Sequence, residues 1–350
     1  MQVLNQLPLD CLLLLADYLP LGRDISALAR TNRRLYYALN PYLYRHNIRH
    51  HGKVAVLWWA ILRAEVNTAR HSIRAGADLH IKDEIYYDTG TALHRAVRAR
   101  YEWRSRCELN PKIARRQGAK QVKDYDAMIS MLIQEGADVN ASNSLGLTPL
   151  HTAARAGDNQ LVSLLVDAGA DISARAKSGE TPLHTAASYD GEGPGAVGLV
   201  LEKGGDVHAR RKDGRTALHE AARAGGSNAA VLLIENGADL EARDKEGRTP
   251  LYFAVCSMRS SSTELEAVVQ LLIDKGADIE ARDLSGLTPL HAVALEGRYE
   301  ELFRLLVKNG ANVEAKDSNG HTAVEIARRN HRAYMLKCIT RRSSRRAGGT

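Results

Sequence analysis

The chain has 350 residues, 44% of them apolar and 25% charged, a balance that excludes a disordered or collagen-like protein and fits about two or three folded domains. Its formal net charge of +7 is concentrated in three segments. Residues 98–123 hold nine basic and two acidic side chains, residues 341–350 hold four arginines, and residues 1–53 hold seven basic and three acidic side chains. The remaining body is acidic, which argues against a nucleic-acid partner.

"LPLDCLLLLADYLPL" opens at Leu7. No Lys or Arg precedes it, and Asp10 and Asp17 interrupt its apolar run, so a secretory signal is not expected. It falls short of the roughly 20 apolar residues that a membrane span needs. Pro8 suits the first turn of a helix and Pro20 stops one after Leu19. Leu12–Leu15 expose more apolar surface than a three-turn helix buries by itself. They must pack on their own domain or on a partner. Cys11, Cys107, Cys256 and Cys338 are scattered with no C-x-x-C pair, so the expected setting is reducing: cytoplasm, nucleus or both.

A repeat dominates from about residue 51 onward. "TPLHTAARAGDNQLVSLLVDAGADISA" starts at Thr148. Related starts follow at Thr181, Thr216, Thr249, Thr288 and Thr322, with "TALHRAVRAR" at Thr91 and a degenerate "AVLWWAI" at Ala55. Within one unit, Thr148 is the predicted N-cap and Pro149 the first helical residue. Leu150, Ala153 and Ala154 make a small-residue face, and Gly157 ends the helix. Leu161, Leu164, Leu165 and Val166 supply the apolar face of a second helix, which Gly169 closes. Turn chemistry such as Asn143–Gly146 or Asp283–Gly286 leads to the next unit. One such unit cannot bury its apolar face alone, whereas a stack can. The T-P-L-H-x-A pattern on a beat near 33 residues resembles the ankyrin-repeat family over about residues 51–340. The resemblance implies an all-α solenoid of about eight repeats with short hairpin loops.

His94, His151, His184, His219 and His291 recur at one position of the repeat. Repeats stack about 8–10 Å apart, too far for successive imidazoles to share one metal at about 2 Å. A structural role is expected instead, each ring bonding near its own helix start and bridging to the next repeat. Trp58 and Tyr252 replace two of them. "GPGAVG" at Gly193–Gly198 matches a dinucleotide-loop pattern, but it follows a predicted helix rather than a strand. No nucleophile has an evident His partner by spacing. The expectation is a protein that is not an enzyme and needs no cofactor and no metal.

The repeat at Thr91 carries about 24 extra residues near 101–126, including Arg104, Arg106, Arg115, Arg116, Lys120 and Lys123 with Tyr101 and Trp103. It reads either as a docking loop or as a solvated insertion. The preceding hairpin carries Tyr86 and Tyr87. The end "RRSSRRAGGT" reads as a disordered basic tail over 341–350.

Residues 7–45 resemble the F-box. The shared features are Leu7–Pro8, an acid at Asp10, apolar Leu15 and Leu19, Pro20, and "DISALARTNRRLYYALNPYLYR" from Asp24 to Arg45. Cys11 stands where an aliphatic residue is usual, and Leu35 where tryptophan is common. An F-box preceding ankyrin repeats is similar to a group of filamentous-fungal proteins. The resemblance implies a small three-helix domain over 1–50 that binds the Skp adaptor of cullin–RING ubiquitin ligases. Carried over by position, its contacts are Leu7, Pro8, Leu15, Leu19 and Leu28. Target contacts are expected from Tyr86, Tyr87, Trp103, Arg211, Lys212, Arg215, Lys245 and Arg248, giving a basic rim for an acidic protein and no membrane partner. The alternative is a non-degradative scaffold or inhibitor whose N-terminal helices only cap the repeats.

Overall fold

A computed structural model describes residues 53–82, 90–109, 119–188, 195–257, 261–296 and 300–330. The F-box-like segment, Tyr86, Tyr87 and the basic tail lie outside the described residues. The chain divides into two compact units, Met1–Pro149 and Leu150–Thr350. Among the described residues every element is an α-helix apart from one isolated bridge, Lys316 to Thr322, so the all-α expectation holds there. No helix among them is long and apolar enough to cross a membrane.

The first unit holds α1 (Lys53–Arg63), α2 (Val66–Arg74), α3 (Ala92–Leu109) and α4 (Ala119–Gln134). Its first helix spans the segment read as a degenerate repeat at Ala55. Leu57, Ala60 and Ile61 are fully buried, and Ala64 turns the chain with φ 56°. Gly157 and Gly225 make the corresponding turns at φ 63° and 71°. Glycine enters this region without a Cβ penalty and alanine does not.

The described parts of the basic insertion are helical: α3 runs to Leu109 and α4 starts at Ala119. These segments are rich in Arg, Glu, Ala and Gln, all strong helix formers, while Pro111 and Gly118 fall between them in sequence. At the base of this helical pair Arg100, only 2% exposed, donates to Asp126 at 2.5 Å. The Tyr125 hydroxyl donates to the Leu62 carbonyl at 2.7 Å.

The second unit holds α5 (Pro149–Arg155), α6 (Asn159–Asp167), α7 (Pro182–Ala187), α8 (Val197–Glu202), α9 (Ala217–Ala224), α10 (Ser227–Glu235), α11 (Pro250–Val255), α12 (Ser262–Asp274), α13 (Pro289–Glu296), α14 (Glu300–Lys308) and α15 (Ala323–Arg329). Helices α7, α9, α11, α13 and α15 stack on one another, and α6, α8, α10, α12 and α14 form the second row. In α5, Leu150, Ala153 and Ala154 are buried as the small-residue face requires. In α6 the buried set is Leu161, Val162 and Leu165, while Leu164 and Val166 are half-exposed. The i, i+1, i+4 spacing puts Val162 on the inner face and turns Leu164 and Val166 to its flanks. The described elements on either side of the start of the "GPGAVG" segment are helices, α7 and α8.

The repeated histidines do both jobs expected of them. Nδ1 of His219 accepts from the Thr216 N–H at 3.1 Å and lies 2.9 Å from its hydroxyl. Nε2 lies 3.1 Å from the Arg248 carbonyl of the next repeat. A backbone N–H only donates and a carbonyl only accepts, so the ring is the neutral Nε2–H tautomer. The same arrangement holds at His94 with the Leu147 carbonyl, His184 with Arg215 and His291 with His321. In α15 Glu325 closes the box with Thr322 at 2.8 and 3.3 Å, but a carboxylate has no N–H to carry the bridge onward.

Where Tyr252 replaces the histidine, the Thr249 hydroxyl is buried with no hydrogen-bond partner. The substitution Tyr252→His supplies the missing acceptor and an Nε2–H toward the next repeat. It is expected to raise stability by about 1 kcal/mol, read as a higher urea midpoint at neutral pH with an unchanged slope.

Candidate interaction surface

The hairpins between repeats are rigid by construction. The carboxylate of Asp244 accepts from the N–H groups of Glu246 and Arg248 at 3.0 and 2.8 Å. Asp283 and Asp317 repeat this on Ser285 and Leu287, and on Asn319 and His321. In the first unit Asn143 does it for Leu145 and Leu147. Gly179 closes its turn at φ +83°, and a Cβ there would stand 2.8 Å from the Lys212 nitrogen, so only glycine fits.

Successive tips of the second unit are tied by backbone bonds. Lys212 N–H donates to Ser178 O at 2.8 Å, Lys245 to Asp213 at 2.9 Å, Leu284 to Glu246 at 2.9 Å and Ser318 to Ser285 at 3.1 Å. Behind the tips runs an arginine ladder. Arg175 donates to the Arg210 carbonyl at 2.9 Å, Arg210 to Arg243 at 2.7 Å, Arg243 to Arg282 at 2.6 Å and Arg282 to Lys316 at 2.6 Å. Sequence reasoning missed these residues. Their signal was the recurring Ala-Arg pair at 174–175, 209–210, 242–243 and 281–282.

The predicted rim residues divide into two kinds. Arg211 occupies the turn position that Asp or Asn holds in four other hairpins, and its guanidinium reaches Glu180 at 2.5 Å and Glu220 at 3.0 Å. Glu220 is only 1% exposed and also binds Arg223 at 2.5 Å and Arg215 at 3.5 Å. Burial pushes its carboxyl up, but Arg223, Arg211 and Arg215 together hold it below the usual carboxylate range. Arg248 binds Asp244 at 2.9 and 2.7 Å and Glu246 at 2.6 Å. The guanidiniums of Arg215 and Arg248 each lie over the buried Phe253 ring, 4.9 Å from its centre, with the His219 ring edge-on at 5.4 Å. Arg211, Arg215 and Arg248 therefore have internal partners. Lys212 and Lys245 stand exposed at their tips.

Trp103 is half-buried against Ala64, Ala99 and Tyr125, because Ala99 and Trp103 share one helix face four residues apart. It supports the base of the helical pair instead of presenting a free ring. Tyr101 is the exposed aromatic there. Leu7, Pro8, Leu15, Leu19, Leu28, Tyr86 and Tyr87 lie outside the described residues.

Among the described residues no three His, Cys, Asp or Glu side chains are grouped to hold a metal ion. The described surface offers fixed tips, exposed lysines and three exposed leucines, Leu145, Leu284 and Leu295. These are means of holding another protein.

A family model described as "Ankyrin repeats (3 copies)" matches residues 117–210, 192–283 and 258–341. Among solved structures, the chain is similar to the ankyrin repeat domain of Bcl-3, described as a unique member of the IkappaB protein family. Identity is 33% over 61% of this chain and 92% of that one, with a TM-score of 0.48. No curated protein matches the chain.

Proposed function

The chain belongs to the ankyrin-repeat family, a protein–protein interaction fold, and from that premise we propose that it is the substrate receptor of a Skp–cullin–F-box ubiquitin ligase. In this reading the protein performs no chemistry of its own. Residues 1–50 hold the Skp adaptor through Leu7, Pro8, Leu15, Leu19 and Leu28, and the repeats hold the protein to be modified. The observation that carries it is the F-box-like run from Leu7 to Arg45 immediately preceding the repeats. Amphipathic helices with surplus leucine dock in apolar grooves. The exposed Lys212 and Lys245 favour an acidic target.

Co-purification of the full chain with the Skp adaptor tests the ligase half. A stoichiometric complex is expected for the wild type, with at least a tenfold loss of affinity in a Leu7→Ala, Pro8→Ala double variant. An adaptor that fails to bind, with the variant only less stable than the wild type, would make the opening leucines a cap and the protein a plain scaffold.

A further inference from the structure

At one position of successive hairpins the second unit carries Lys177, Lys212, Lys245 and then Leu284. The backbone bonds between tips fix their order and spacing. All three lysines are exposed, and none has an ion pair among the described residues. The acids beside them are already engaged: Glu180 by Arg211, Asp213 by Arg211 and Arg215, and Asp244 and Glu246 by Arg248. Arg211, Arg215 and Arg248 neutralise the carboxylates of these tips, and the lysines add to the outward positive charge of the exposed Arg175, Arg210 and Arg243. Leu284, next in the row, is 77% exposed, more than any other large apolar side chain described.

We propose that this row recognises an extended acidic segment of a partner protein, with a carboxylate at every third residue and a bulky apolar side chain three residues beyond the last. The spacing follows from geometry. Stacked repeats advance about 10 Å and an extended chain about 3.3 Å per residue, so one repeat spans about three residues of bound chain. Each lysine then faces one carboxylate and Leu284 covers the apolar residue. A nucleic acid fits less well, because Leu284 has no partner on a sugar–phosphate chain. This inference rests on the reading that the repeats carry the target.

The test is fluorescence anisotropy on the full chain with a labelled peptide of three glutamates at every third residue and a leucine three residues later. A second peptide has the same composition with its glutamates contiguous. The spaced peptide is expected to bind at least tenfold more tightly than the contiguous one, and its affinity falls as salt is added. Lys177→Glu, Lys212→Glu, Lys245→Glu together lose at least tenfold, and Leu284→Ser loses severalfold. The corresponding triple Gln variant removes charge without adding acid and is also expected to lose at least tenfold, with an unchanged thermal transition. Equal binding of the two peptides, no binding, wild-type affinity in either triple variant, or tighter binding of an oligonucleotide of matched charge would overturn the proposal. Adaptor co-purification on the same preparations separates the two claims, since adaptor binding retained without peptide binding removes this inference alone.

Discussion

Acidification from pH 7.5 to pH 5 is expected to lower the stability of the repeats by about 4 kcal/mol through buried histidines. Burial pulls His151 and His219 down to about 4, against an ordinary value near 6.5. Burial lowers His184 as well. In the fold burial keeps these rings neutral, and at His184 and His219 Nδ1 must also keep its lone pair for the threonine N–H. In the unfolded chain they take up a proton below pH 6.5. The unfolded state therefore binds more protons between about 6.5 and 4, and stability falls with pH across that window. By pH 5 each of the two rings accounts for about 2 kcal/mol. Urea melts at half-unit pH steps check this. His219→Gln is less stable at pH 7.5, but its loss on going to pH 5 is smaller by about 2 kcal/mol.

The second large effect belongs to Glu220. Its carboxylate, 1% exposed, is the shared partner of Arg211, Arg215 and Arg223. Removing one member of a buried ionic group leaves the others desolvated and unpaired, which costs about 3–5 kcal/mol. Glu220→Ala is expected to lose about 3 kcal/mol in urea unfolding at neutral pH. Adding Arg211→Ala recovers part of that loss by removing one stranded charge. Because the folded carboxyl lies below its ordinary value, its contribution is fully present above about pH 4.5 and disappears only as pH falls further. The carboxylate and histidine effects therefore separate on the pH axis.

The repeat was legible because each of its signals has one physical reading. Thr-Pro starts a helix, the small face admits a neighbour, and glycine takes positive φ. The histidine role was legible for the same reason, since the ring recurred only together with its cap. What sequence could not supply was the fate of each charge. Arg211 and Lys212 are adjacent and equally basic in sequence, yet one crosses to Glu180 and Glu220 while the other faces solvent. That difference depends on a neighbouring repeat 31 residues away. The insertion read as a docking loop or a solvated insertion because it breaks the beat, although its composition from Tyr101 to Leu109 already favoured helix. Trp103 was hard to place for a related reason: aromatic residues serve cores and surfaces alike, and the face it shares with Ala99 packs part of it inward. The Ala-Arg ladder was visible as a recurrence but carried no meaning until the carbonyls it binds were in place.

Reconstituted ubiquitin transfer tests the central claim most directly. The full chain is assembled with the Skp adaptor, cullin and RING subunits, and supplied with a lysine-containing protein ending in the spaced acidic segment. The account predicts ubiquitin conjugates on that protein, lost both in the Leu7→Ala, Pro8→Ala variant and in the variant with Lys177, Lys212 and Lys245 reversed. An assembled complex that binds the protein and leaves it unmodified, or conjugates that persist in both variants, would contradict it.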